Sequence, residues 1–162
     1  MKECLVIVDV QKGFLNNSTM FIPQKIKELC DKRKFDIIVS TKFINNELTP
    51  HYQYTNWKGM LDKGSQELDP YIKKISERIF DKSVNTVFTE EFIKFIEDNK
   101  IEKMIFVGID TDCCVMKSAF DCFDKKIPFE VITECCASSG GDKYHKAACM
   151  IMKRSLGTDF VH

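Results

Sequence analysis

Runs of consecutive apolar residues alternate along this chain with stretches where apolar residues recur every three or four positions. The first run, Cys4 to Asp9 (CLVIVD), is apolar up to its final acid, the pattern of a strand buried on both faces. Phe35 to Ser40 (FDIIVS), Arg78 to Phe80, Met104 to Ile109 (MIFVGI) and Pro128 to Thr133 read as further strands. Between them, helices are predicted from Pro23 to about Lys32, from Asp69-Pro70, from Thr89, from Cys113, and over Lys143 to Arg154. Their ends carry the appropriate signals. Pro23 and Pro70 suit a first helical position, and Asp69 caps the helix that follows it. Glu90 and Glu91 favour the positive end of a helix, and Gly157 suits a stop. One segment, Phe43 to Asp69, breaks the alternation. It is rich in Asn, Thr, Tyr and Gly, contains Trp57, and reads as a long surface excursion of the kind that often carries function.

Strands alternating with helices predict a mostly parallel sheet with helices on both faces, a three-layer α/β/α, Rossmann-like arrangement. No repeat, low-complexity tract or linker interrupts it, so residues 1–162 read as one domain. Lys plus Arg and Asp plus Glu both number 24, a net charge of zero that argues against a nucleic-acid binder. No apolar stretch is long enough to span a membrane, and the short run after Met1 does not suit a signal peptide. These features predict a cytoplasmic protein with no nucleic-acid and no membrane partner, and they leave a small-molecule substrate open. The 8 cysteines are then expected to be mostly reduced. They contain no C-x-x-C, so neither a zinc ribbon nor a thioredoxin-type pair is indicated.

In an open parallel sheet, sites form beyond the carboxyl ends of the strands. There the sequence places Asp9 after the first strand, Asp81-Lys82 after the third and Asp110-Thr111-Asp112-Cys113-Cys114 after the fourth. An acid, a cation and a thiol thus arrive at one edge. A thiolate favoured by a helix start and a nearby lysine would be the nucleophile, and an aspartate would carry its proton. Exposed amides of the strand-to-helix turn could hold an oxyanion. Taken singly, Asp9 also fits a turn cap, Lys82 a surface lysine and Cys114 a packing residue.

The local sequences change that balance. Asp9-Val10-Gln11-Lys12-Gly13-Phe14, Asp81-Lys82 ahead of Phe88-Thr89, and Gly108-Ile109-Asp110-Thr111-Asp112-Cys113-Cys114-Val115 resemble the three motifs of the isochorismatase-like cysteine hydrolases. Ser118-Ala119-Phe120-Asp121 and Ala137-Ser138-Ser139 also fit, so the resemblance runs from about Cys4 to Gly157. It implies a six-stranded parallel sheet, a cis peptide at Ile109-Asp110, and homo-oligomers, dimeric or tetrameric. It assigns Asp9 as general acid and base, Lys82 as the cation beside the thiol and Cys114 as nucleophile. The amides of Asp110 and Cys114 would face the substrate oxygen. The family pattern places the thiol directly before Val, which selects Cys114 over Cys113. Because consecutive helical residues point roughly 100° apart, only one of the two is expected to face the crevice.

The resemblance points to C–N bond hydrolysis of a small amide through a thioester. Phe14, Phe43, Tyr52 and Trp57 are candidates to line the substrate pocket, or else to pack the excursion or a subunit interface. Nicotinamidases of this superfamily carry an Asp-x-His metal set after the second strand. Here the chain reads Thr41-Lys42-Phe43-Ile44-Asn45, and His51 is the only histidine near. No catalytic metal and no cofactor are therefore expected, and nicotinamidase activity is disfavoured. True isochorismatases lack the cysteine nucleophile, which disfavours vinyl-ether hydrolysis. The alternative is an inactive member of the fold that binds a metabolite or a partner protein. A dinucleotide-binding domain ranks lower, because no G-x-G-x-x-G follows the first strand.

Overall fold

The computed structural model describes all residues, Met1–His162. Five strands form one parallel sheet: β1 (Glu3–Val8), β2 (Ile37–Phe43), β3 (Arg78–Lys82), β4 (Lys103–Ile109) and β5 (Phe129–Ala137). Their spatial order is β3-β2-β1-β4-β5. The principal helices are α1 (Ile22–Lys32), α2 (Pro50–Thr55), α3 (Lys63–Gln66), α4 (Pro70–Ile75), α5 (Glu90–Asp98), α6 (Met116–Asp124) and α7 (Asp142–Leu156). No helix is long and apolar enough to cross a membrane.

Side-chain alternation along the strands divides the core in two. Cys4, Val6 and Val8 of β1 pack on one face with Phe92 of α5, Ala119 of α6 and Met152 of α7. Leu5 and Ile7 pack on the other with Ile22 and Ile26 of α1 and Ile72 of α4. Helices thus cover both faces, which is why β1 and β4 are apolar at nearly every position. The eight cysteines are unpaired; five of them, Cys4, Cys114, Cys122, Cys135 and Cys136, are buried.

The expected sixth strand is absent. The segment after α7 makes a single parallel bridge, Val161 to Val131, beside β5. Three backbone hydrogen bonds hold it there (Val131 N to Phe160 O, His162 N to Val131 O, Thr133 N to His162 O), too few for a strand. Other boundaries moved by a few residues. β2 begins and ends later than its apolar run suggested, β5 continues to Ala137, and Lys82 closes β3 rather than following it.

The chain moves outward from β1 to β2 and β3, then returns to the opposite side of β1 for β4 and β5. The winding therefore reverses between β1 and β4, and a crevice opens beyond their carboxyl ends. Close approach of these two strands depends on Gly108, which pairs with Val8 and has a φ of +121°. A Cβ there would lie 2.2 Å from Val8 O and 2.7 Å from Val8 N. Gly108→Ala is expected to lower stability by about 3 kcal/mol or more, measured from the urea midpoint. A negligible loss would mean that the two strands separate without cost at this point.

Candidate active site

Asp9 follows β1 with a positive φ of 48°, so the chain turns sharply and aims its carboxylate back under the sheet edge. Lys82, the last residue of β3, reaches past the end of β2 to meet it. Lys82 Nζ lies 2.7 Å from Asp9 Oδ2, and both side chains are 0% exposed. The same Nζ lies 3.3 Å from Cys114 Sγ and donates to the Val84 carbonyl at 2.9 Å. Thr41 of β2 donates to Asp9 Oδ1 at 2.7 Å. No donor other than Lys82 satisfies Asp9 Oδ2. Acid, lysine and thiol, 105 positions apart from Asp9 to Cys114 (114 − 9), form one buried cluster.

The cluster's electrostatics are set by burial. Burial raises the Cys114 thiol well above its ordinary range, the facing Asp9 carboxylate raises it further, and Lys82 acts against both. Burial also works against the charge on Lys82, but Asp9 and Cys114 outweigh it and hold Lys82 above the usual lysine range. Burial and the facing Asp9 thus favour the protonated thiol at rest, and Lys82 pulls the other way. The α-helix start expected at Cys114 is not found. Cys114 lies in a π-helical turn, Thr111–Val115, which precedes α6, and its burial works against the thiolate.

That turn is held from several sides. The Asp110 carbonyl accepts from the amides of Cys113 and Val115, each at 3.1 Å. Thr111 Oγ1 bonds His145 Nδ1 of α7 at 2.8 Å. Ser118 Oγ donates to the Cys114 carbonyl at 2.7 Å and accepts from the Val87 amide at 3.1 Å. The Ile109–Asp110 peptide is cis, as the resemblance implied.

Cys114 forms the base of a cavity of about 520 Å³. Phe14, Phe43, His51 and Trp57 line one wall. The Phe14 and Trp57 rings are nearly parallel, 6.1 Å apart, and His51 packs edge-on against Phe43 at 5.2 Å. Tyr52 is not on this wall. Its ring lies under Lys58, whose Nζ is 3.5 Å from the ring centre, because Tyr52 follows His51 on α2 and points from a different side of that short helix. Cys113 lines the cavity as well as Cys114, contrary to the expectation that only one would. The wider π-helical turn accounts for this. The two thiols differ in position: only Cys114 contacts Lys82.

Two polar residues to which the sequence pattern assigned no role, one of them inside the first motif, position these parts. Gln11 accepts from the Phe43 amide at 2.7 Å and donates to the carbonyls of Phe43 and Gln66 at 2.9 and 2.8 Å. It thereby fixes the loop after Asp9 to β2 and to the excursion. Asn45 donates to the carbonyls of Trp57 and Gly59 at 3.2 and 2.7 Å, drawing Trp57 over the cavity. Thr49 bonds the Asn45 side chain in turn. His51 stands out among the cavity residues given no role by the sequence pattern. Its Nδ1 is buried without a partner. Burial, reinforced by Lys82, lowers its pKa.

No three His, Cys, Asp or Glu side chains converge in a way that would hold a metal ion. The residues at and after the end of β2, Thr41-Lys42-Phe43-Ile44-Asn45, do not form an Asp-x-His set.

Sheet order and the buried acid–lysine–thiol cluster at the winding reversal together define a doubly wound α/β domain with a cavity-based thiol site. Residues 3–159 match the isochorismatase domain, and the chain belongs to the isochorismatase family. Its fold is that of the Bacillus subtilis nicotinamidase, with 17% identity, TM-score 0.79, and 96% of this chain and 97% of that one covered. It is also that of an isochorismatase-like hydrolase from Alkaliphilus metalliredigens (15%, TM-score 0.77, 94% and 88% covered). The Staphylococcus aureus nicotinamidase is similar too (22%, TM-score 0.73, 96% and 94% covered). No curated protein matches the chain in sequence.

Proposed function

We propose that the protein is a cysteine hydrolase that cleaves the C–N bond of a small amide through a thioester on Cys114. The observation that carries this reading is the buried cluster itself: Lys82 Nζ lies 2.7 Å from Asp9 and 3.3 Å from Cys114, at the base of an open cavity. Asp9 Oδ2 takes the Sγ proton as the sulfur attacks the amide carbon, so the thiolate need not exist beforehand. Lys82 stabilises the negative charge while it moves from carboxylate to sulfur. The amides of Asp110 and Cys114 hold the tetrahedral oxyanion. Collapse expels the amine, which leaves with the proton from Asp9. Water then enters, Asp9 takes its proton as the oxygen attacks the thioester carbon, the C–S bond breaks, Asp9 returns that proton to Sγ, and the acyl group departs as a carboxylic acid.

Solved nicotinamidases with this fold make small primary amides the first class of substrate to try, with nicotinamide included as the amide that the missing Asp-x-His set disfavours. The test is ammonia release from a panel of primary amides, followed by intact mass after rapid acid quench. Turnover with an acyl adduct mapped to Cys114 is expected. Turnover without any adduct, or an adduct elsewhere, would sink the proposed route. The raised Cys114 pKa favours a second reading, a member of the family that binds a metabolite or partner protein without turnover. Binding of panel amides with no ammonia released would favour it. A cytoplasmic homo-oligomer, dimeric or tetrameric, accompanies either reading, and light scattering tests the assembly.

A further inference from the structure

Beyond the reacting cluster, the cavity is asymmetric in charge. No lysine or arginine lines it, and Asp110 is its only carboxylate. Behind the wall, the charge on Lys82 is matched by Asp9 at 2.7 Å. His51 is held towards its neutral form by burial and by Lys82. The remaining polar lining, Asn16, Thr55, Asn85 and Ser139, is uncharged.

Asp110 is also fixed in place. Its Oδ1 accepts the Ser139 amide at 2.6 Å and its Oδ2 accepts the Ser139 hydroxyl at 2.7 Å. Asn16 donates to the Ser139 carbonyl at 2.9 Å, which ties the Asp9 loop to the loop after β5. A carboxylate can accept about four hydrogen bonds, and these contacts use two. Asp110 lines the cavity and immediately precedes the turn holding Cys114, so this accepting capacity lies close to the thiol. Burial raises the Asp110 pKa to about 6 against the two Ser139 hydrogen bonds, with Asp112 and Asp9 adding to the rise.

We infer that Asp110 determines specificity: its carboxylate selects substrates carrying a cationic or N–H donor group close to the reacting carbonyl and rejects anionic ones. This rests on the proposed amide hydrolysis, because it assigns the substrate class of the same cavity. Small amides bearing an ammonium, amidinium or ureido group satisfy it, and amides bearing a carboxylate do not.

Charge selection is readable without turnover, from the reactivity of Cys114 itself. The probes are three methanethiosulfonates of similar size: methyl, 2-aminoethyl and 2-sulfonatoethyl. Each forms a mixed disulfide with a thiolate and releases methanesulfinate. Labelling of Cys114 is followed by peptide mapping in a Cys113→Ser protein, with each rate divided by that of a free small thiol at the same pH. The cationic reagent is expected to exceed the anionic one by about tenfold or more. Asp110→Asn keeps the shape and a partner for Ser139, and should reduce the ratio to within about threefold; Asp110→Glu, which keeps the charge, should preserve it. Equal normalised rates in the wild type, or an undiminished preference in Asp110→Asn, would overturn the inference. Cys114 inert to all three reagents would overturn it together with the hydrolase reading. Charge preference with no hydrolysis of any amide would sink only the hydrolase reading, and hydrolysis without charge preference only the inference.

Discussion

Cys114→Ala is expected to reduce amide turnover by about 10⁴-fold or more, as loss of a covalent nucleophile does, while leaving the unfolding transition nearly unchanged. The stability half of this expectation follows from size and surroundings. Cys114 is 6% exposed and behaves as a small apolar side chain, so replacement by alanine removes one atom and one weak contact to Lys82. A loss of about 1 kcal/mol is the expected scale. Ammonia release and urea denaturation measure the two quantities on one preparation. Substantial residual turnover would move the nucleophile, and Cys113 on the same cavity wall would be the first candidate.

Asp9→Asn is expected to have two effects of opposite sign. Turnover should fall by about 10² to 10⁴-fold, the scale of general acid–base catalysis, because an amide cannot carry the proton between thiol, leaving amine and water. Labelling of Cys114 by iodoacetamide near neutral pH should instead become faster. Asp9 raises the Cys114 pKa and Lys82 lowers it; removing the carboxylate charge leaves the lysine unopposed. A slow enzyme with a more reactive thiol separates a proton-transfer role from a merely structural one. Stability should also drop by about 3–5 kcal/mol, since Lys82 is left buried without its counter-ion. Normal turnover, or a thiol no more reactive than before, would refute the role given to Asp9.

Much of the fold was legible because a sheet covered on both faces writes itself as unbroken apolar runs. β1 and β4 are the clearest cases, and both flank the crevice. The sixth strand came from the resemblance and not from the apolar pattern, and the single Val161 bridge stands in its place. Asp9, Lys82 and Cys114 were placed at one edge by the strand-end rule, and the three side chains do meet there. What the pattern did not contain was the environment. A thiol's pKa depends on how dry its pocket is, and no local sequence reports that Lys82 and Asp9 are wholly enclosed. Tyr52 and His51 illustrate the same limit. They are adjacent on a short helix, and only the turn of that helix against Phe43 and Trp57 decides which one faces the cavity. Gln11 and Asn45 have the composition of loops, yet their amides hold distant backbone segments together, a role visible only once those segments are adjacent.

The eight unpaired cysteines give the folded state a protective duty. Four besides Cys114 (Cys4, Cys122, Cys135 and Cys136) are enclosed in the packed interior, and burial raises the pKa values of Cys4 and Cys122 to about 12, so while the domain holds together these four thiols resist oxidants. Once it opens, all eight are released at ordinary thiol acidity and can pair in many wrong combinations. Loss of structure in an oxidising medium thus becomes a ratchet: each transient opening risks a crosslink that blocks return. The lifetime of the protein is then governed by how often it opens and by the reductant around it, more than by the depth of its native minimum.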